Sequence, residues 1–139
     1  MKDRITYGVE ATLSTADFAR LLTDSGLGAT RPVADLQRLE VMLRGANVLL
    51  TARRGGSDGP LVGVIRGISD GAWCCYISEI AVSRSAQGLG IGKGLLKAAR
   101  RQVGPEVSVI LASLPESVAF YERIGMPRME NAFWYRRRY

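Results

Sequence analysis

Three glycines alternate along Gly88-Leu89-Gly90-Ile91-Gly92, directly after Gln87 and directly before a stretch with helical apolar spacing. This segment constrains the chain more than any other. Without a Cβ, glycine lets the backbone enter left-handed conformations and approach another group closely. At the start of a helix, such a loop turns successive N–H groups toward one point, where the macrodipole favours negative charge. Lys93 adds a positive charge beside them. The arrangement suits a phosphate or pyrophosphate.

Two phosphate loops of other kinds fit less well. A Walker A loop ends in Gly-Lys-Ser/Thr, whereas this one reads Gly92-Lys93-Gly94 and offers no hydroxyl to magnesium. A dinucleotide fingerprint needs a parallel βαβ unit and an acidic residue at the end of the second strand. Here the preceding strands read as antiparallel and the next one ends in Ala112-Ser113. Glycine spacing alone also suits a plain tight turn.

Periodicity supplies the surroundings of the loop. Alternation predicts a strand over 5–9, and Ser14 opens a helix with Asp17 as its partner and Phe18, Leu21 and Leu22 inward. Gly26 and Gly28 end it. A second helix is predicted over 33–44, with Leu36, Leu39 and Leu43 on one side and Gly45 as its stop. Strands over 47–52, 61–68 and 72–82, separated by the glycine-rich loop 55–60 and the turn Ser69-Asp70-Gly71, form an antiparallel meander. The last is nearly continuous in apolar character and therefore central.

The helix after the glycine loop covers 91–103 on Leu95, Ala99 and Val103, and Gly104-Pro105 stops it. A strand over 107–112, a helix over 116–123 capped by Gly125, and strands over 126–129 and 132–137 complete the order βααβββαβαββ. Phe133 and Tyr135 should then face inward. The expected fold class is α/β (α+β): one domain over 1–139, a mixed, mostly antiparallel sheet, and helices on both faces.

The absence of histidine narrows the chemistry. It removes Ser-His-Asp and Cys-His catalysis and the commonest general base. The two cysteines, Cys74 and Cys75, are adjacent, so they bridge poorly and make no ordinary zinc site. Two reduced, buried thiols are expected, and no metal. No apolar run reaches the roughly 20 residues of a membrane span. The charged start Met1-Lys2-Asp3-Arg4 has no apolar segment behind it, so no signal peptide and a cytoplasmic protein are expected.

Nineteen basic against thirteen acidic residues leave a net charge of +6, which suits nucleic acid, an anionic surface or a polyphosphate. Arg136-Arg137-Arg138 interleave with Trp134, Tyr135 and Tyr139 in the manner of a single-strand stacking platform. The simpler reading is a final edge strand with a solvated basic end.

Ile80-Ala81-Val82, followed five positions later by Gln87-x-x-Gly90-x-Gly92 and an apolar helix, resembles the acyl-coenzyme A-binding motif of the GNAT N-acetyltransferases. Ala119-Phe120-Tyr121-Glu122-Arg123-Ile124-Gly125-Met126 is similar to a second segment of that family, and the element order matches its fold. The resemblance implies a GNAT-like acyltransferase that takes acetyl-CoA and acetylates a primary amine on a small molecule or protein, by direct attack in a ternary complex. It implies that Ile80, Ala81 and Val82 splay from the neighbouring strand to meet the pantetheine arm. The amides of Gln87, Gly88, Leu89, Gly90, Ile91 and Gly92, with Lys93, hold the pyrophosphate. Two positions depart from the pattern: Leu114 stands where many relatives carry asparagine, and Arg84 where proline is common.

Acetylating an amine requires a proton for the departing thiolate and an acceptor for the amine's own proton. Tyr121 matches the family's proton donor; its other reading is a core ring. Glu79, alone in an apolar strand, is the candidate base, with its pKa raised by burial; the alternatives are a solvent-facing carboxylate or one paired with an arginine. The amide of Ile80 would meet the oxyanion. Trp73, Cys74, Tyr76 and Trp134 either line a channel for a hydrophobic or aromatic amine or pack in the core. Other functions left open are a non-catalytic acyl-CoA sensor and a nucleic-acid module using the basic end. A homodimer through the C-terminal strands is also compatible with the sequence.

Overall fold

The computed structural model describes residues 4–138 of the chain. Expectations resting on Met1, Lys2, Asp3 and Tyr139, namely the charged start and the last aromatic of the basic run, lie outside those residues. The elements are β1 (Ile5–Val9), α1 (Thr15–Ser25), α2 (Leu36–Gly45), β2 (Val48–Arg54), β3 (Leu61–Ser69), β4 (Cys74–Val82), α3 (Ile91–Val103), β5 (Ser108–Leu111) and α4 (Val118–Arg123). Short 3-10 turns occupy Leu27–Thr30, Arg84–Ala86 and Pro115–Ser117.

The sheet runs in the order β1-β2-β3-β4-β5, antiparallel up to β4 and parallel between β4 and β5. This is the mixed, mostly antiparallel sheet expected. One face carries α1 and α2, whose Phe18, Leu21, Leu22, Leu39 and Leu43 bury against Leu49, Val64 and Ala81. The other carries α3, with Ile91, Leu95, Leu96 and Ala99 on Leu50, Ala52, Ile65 and Ile77. Strand side chains alternate between faces, so a sheet covered on both sides reads as continuous apolar sequence.

Local polar groups decide where the elements start. Ser14 Oγ accepts from the Asp17 amide at 3.1 Å, and Gly26 ends α1 in the left-handed region at φ 94°. α2 begins at Leu36 rather than 33, because the Asp35 carboxylate caps it, accepting from the Arg38 amide at 3.1 Å. Similarly, β4 begins at Cys74 rather than 72. Asp70 Oδ1 accepts the amides of Ala72, Trp73 and Cys74 at 2.9, 2.7 and 3.1 Å and keeps this stretch in the turn.

Among the described residues no strand forms over 126–129 or 132–137, contrary to expectation. Phe133 and Tyr135 are 97% and 104% exposed rather than inward-facing. β propensity becomes a strand only against a partner edge, and β5, only four residues long, is not paired with this segment. The segment instead stacks the Arg136 guanidinium over the Trp134 ring at 4.2 Å. The buried cysteine pair is also corrected: Cys75 is buried and Cys74 exposed, since strand neighbours point to opposite faces. No described helix is long and apolar enough to cross a membrane.

Candidate active site

β4 pairs with β5 only from Cys74↔Ser108 to Ile77↔Leu111. Beyond Ile77, β4 continues to Val82 bound to β3, and its other edge opens into a gap. The Ser83 amide donates to the Val62 carbonyl at 2.9 Å, toward β3. Peptide groups along a strand alternate between its edges, so the N–H groups of Ile80 and Val82 face the gap.

The glycine loop closes the end of that gap. Gln87 Nε2 donates to the Val82 carbonyl at 3.1 Å and ties the loop to the strand. Gly88 and Gly90 sit in the left-handed region at φ 85° and 77°, and Gly90 caps α3 with no side chain on the first-turn amides. Those amides are available to an anion. A Cβ on Gly92 would lie 3.1 Å from Phe120 Cζ, so the glycine admits the ring of α4 against α3.

The resulting cleft has a volume of about 820 Å³. Ile80, Ala81 and Val82 line one side; Gln87, Gly88, Gly90, Ile91, Gly92 and Lys93 line the end; Tyr121 faces in from α4. Leu89 is half exposed and outside the lining, and Glu79 is outside it too. The structure adds Ser25, Gly26 and Leu27 at the rim, together with Arg84 and Arg123. Arg84 was visible in the sequence only as an unusual residue in the motif. A Cβ on Gly26 would lie 3.0 Å from its Nη2, a contact between distant segments that spacing does not reveal.

Tyr121 packs edge-on against Phe120, with ring centroids 5.0 Å apart at 77°. Burial pushes its hydroxyl above the ordinary tyrosine pKa of 10.0, so it holds its proton at neutral pH.

Glu79 has a fully buried side chain. Arg66, its cross-strand partner, donates from Nε to Oε1 and from Nη2 to Oε2 at 3.0 Å. Arg31 Nε donates to Oε2 at 2.7 Å, and so does Ser78 Oγ at 2.7 Å. Burial is the largest single influence and pushes the carboxyl up. The hydrogen bond and charge of Arg66, with the bonds from Ser78 and Arg31, outweigh it and hold the pKa below the ordinary 4.5. The raised pKa expected of Glu79 is therefore overturned; the pairing with arginine, read as an alternative, is what forms. The signal lay in the single charge on each of two adjacent apolar strands, Arg66 and Glu79.

Trp73 and Tyr76 are 78% and 47% exposed, which excludes the core packing considered for them. Ser78, between Ile77 and Glu79, has no counterpart in β3 and forms a bulge.

Comparison with known proteins agrees with this architecture. The sequence profile of the acetyltransferase (GNAT) domain matches residues 22–134. An uncharacterized N-acetyltransferase, ycf52, of Pyropia yezoensis is 28% identical over 123 residues, covering 84% of this chain and 69% of that protein. A GNAT family acetyltransferase of Streptococcus pneumoniae superposes with a TM-score of 0.73 at 26% identity, over 96% of this chain and 99% of that one. An acetyltransferase of Trypanosoma brucei shares the fold at a TM-score of 0.65 and 24% identity, over 96% and 99% of the two chains. With the profile spanning most of the chain, including the glycine loop and Tyr121, this protein belongs to the GNAT family of acetyltransferases.

Proposed function

We propose that this protein transfers an acetyl group from acetyl-CoA to a primary amine, of a small molecule or a protein, while both substrates are bound. The observation that carries the reading is the β4–β5 gap opening directly onto the left-handed glycines at the head of α3. The site suits a polyphosphate chemically: Lys93, Arg84 and Arg123 line it against the single carboxylate of Glu116.

Bound there, acetyl-CoA supplies an acetyl group on a thiol of pKa about 8.5, which the amine nitrogen displaces as the C–N bond forms and the C–S bond breaks. The amides of the glycine loop and Lys93 hold the pyrophosphate. The outward peptide groups of Ile80 and Val82 meet the pantetheine arm along the open edge. The Ile80 N–H also receives negative charge developing on the acetyl oxygen. Tyr121 holds the proton destined for the departing sulfur. Glu79, gripped by two arginines, acts as a positioning residue for β4, and the proton lost by the amine passes to water.

Calorimetric titration with acetyl-CoA and free CoA, alongside a Gly90→Glu variant, tests this. Saturable binding by the wild type, lost in a variant with unchanged far-UV circular dichroism, is expected. A folded wild type that binds neither ligand would overturn the reading.

A further inference from the structure

The ion pairs around Glu79 join one carboxylate to two guanidiniums, Arg66 and Arg31, leaving a surplus of one positive charge. Arg66 alone reaches both carboxylate oxygens and is 7% exposed in its side chain; Arg31, at 20%, is the member that reaches solvent. Arg31 donates from Nε to Glu79, from Nη1 to the Thr30 carbonyl and hydroxyl, and from Nη2 to the Ser78 carbonyl at 2.8 Å. A guanidinium has five N–H groups, so one on Nη2 remains.

Its position is specific. The cleft runs from the glycine loop along Val82 to Ile80, and Ser78 lies two residues further along the strand, about 7 Å on. Arg31 follows the same connection whose Ser25, Gly26 and Leu27 form the cleft rim. The bulge at Ser78 brings Tyr76 to the same sheet face as Glu79. There Tyr76 stands in register between Ile68 and Ile110, the three 47%, 52% and 36% exposed. An apolar strip that α1 and α2 leave exposed thus adjoins a surplus cation beyond the Ile80 end of the cleft.

We infer that the acceptor is an aromatic amine bearing a carboxylate, with Arg31 receiving the carboxylate and the Tyr76 strip the ring; this rests on the acetyl-transfer reading above. A surplus of one charge matches a monoanion. Arg31 is a specificity residue, and its removal leaves Arg66 and Glu79 balanced one to one, so the variant is expected to fold.

The test compares thiol release from acetyl-CoA with tyrosine and with tyramine, in the wild type, Arg31→Gln and Arg31→Lys. The wild type is expected to favour tyrosine by about tenfold or more in kcat/KM, the worth of a charge-assisted hydrogen bond. Arg31→Gln should cut that tyrosine-over-tyramine preference about tenfold, chiefly through KM for tyrosine and over and above any change the two amines share through the Glu79 cluster, and Arg31→Lys should recover part of the preference. Preference for tyramine, or a tyrosine preference that survives Arg31→Gln, overturns the inference. Turnover of neither amine also overturns it. In that case acetyl-CoA binding by calorimetry separates a wrong acceptor, where binding persists, from a wrong transferase reading, where it is absent.

Discussion

Arg66 holds both carboxylate oxygens of Glu79 across the β3–β4 ladder, its Nε on Oε1 and its Nη2 on Oε2 at 3.0 Å. The carboxylate is the sole anion of the cluster's ion pairs, with Arg31 on its other side. Glu79→Gln would leave two guanidiniums facing a neutral amide. Breaking a buried pair by removing one partner costs about 3–5 kcal/mol, which urea denaturation would register as a lower midpoint at unchanged slope.

The same pair predicts an acid limb. The folded carboxyl titrates below its ordinary 4.5, so the unfolded chain takes up the proton first as pH falls. The stabilisation is complete above the unfolded pKa and is lost as pH drops through the folded one. Urea midpoints measured from pH 6 downward should therefore fall steeply for the wild type below pH about 4.5 and more shallowly for Glu79→Gln.

On the proposed reading, Tyr121→Phe removes the proton donor for the leaving thiol while keeping the ring against Phe120. Its kcat should fall by about 10²- to 10³-fold with acetyl-CoA affinity little changed. Since burial raises the Tyr121 pKa above 10.0, the wild-type rate should not decline with tyrosine ionisation until pH exceeds that value. Retained kcat in the variant would remove Tyr121 from the chemistry.

Gly63 lies on β3 beneath α3. A Cβ there would sit 3.0 Å from both Ile91 Cγ2 and Leu95 Cδ1 and 3.3 Å from Ala52 Cβ. Gly63→Ala should destabilise the fold by about 1–3 kcal/mol by overpacking. Because Ile91 opens the helix that follows the glycine loop, acetyl-CoA affinity should fall too. Pairing the change with Ile91→Val, which removes a methyl group at this contact, should restore part of both in thermal and calorimetric measurements.

The cysteines should react at different rates. Cys75 is 1% exposed, and burial, followed by the neighbouring Cys74, raises its thiol pKa. A thiol reagent at neutral pH should modify Cys74 at once and Cys75 only with unfolding, and Cys74→Ser should abolish the fast phase.

Much of the cleft was legible because its parts are local. Gln87 to Gly92 lie within six consecutive residues, and the left-handed conformations of Gly88 and Gly90 are the ones glycine admits most readily. The helical spacing of Leu95 and Ala99 and the Ser14 cap are likewise short-range. α2 and β4 start later than the apolar pattern predicts because the Asp35 and Asp70 side chains compete with it over a few residues. The C-terminal segment alternates like a strand and forms none, because alternation says nothing of an available edge.

The sequence by itself determined where the backbone turns, which helix faces are apolar and where glycines open α3 with uncapped amides, since steric limits and caps act within a few positions. Tertiary structure decided the charge state of Glu79, the gap beside Ile80 and the exposure of Tyr76. Arg66 and Arg31 lie 13 and 48 residues from Glu79 in the chain, and only strand register and helix packing bring them to one carboxylate. Where burial alone would raise that carboxyl's pKa, the assembled partners lower it, making Glu79 a structural anion.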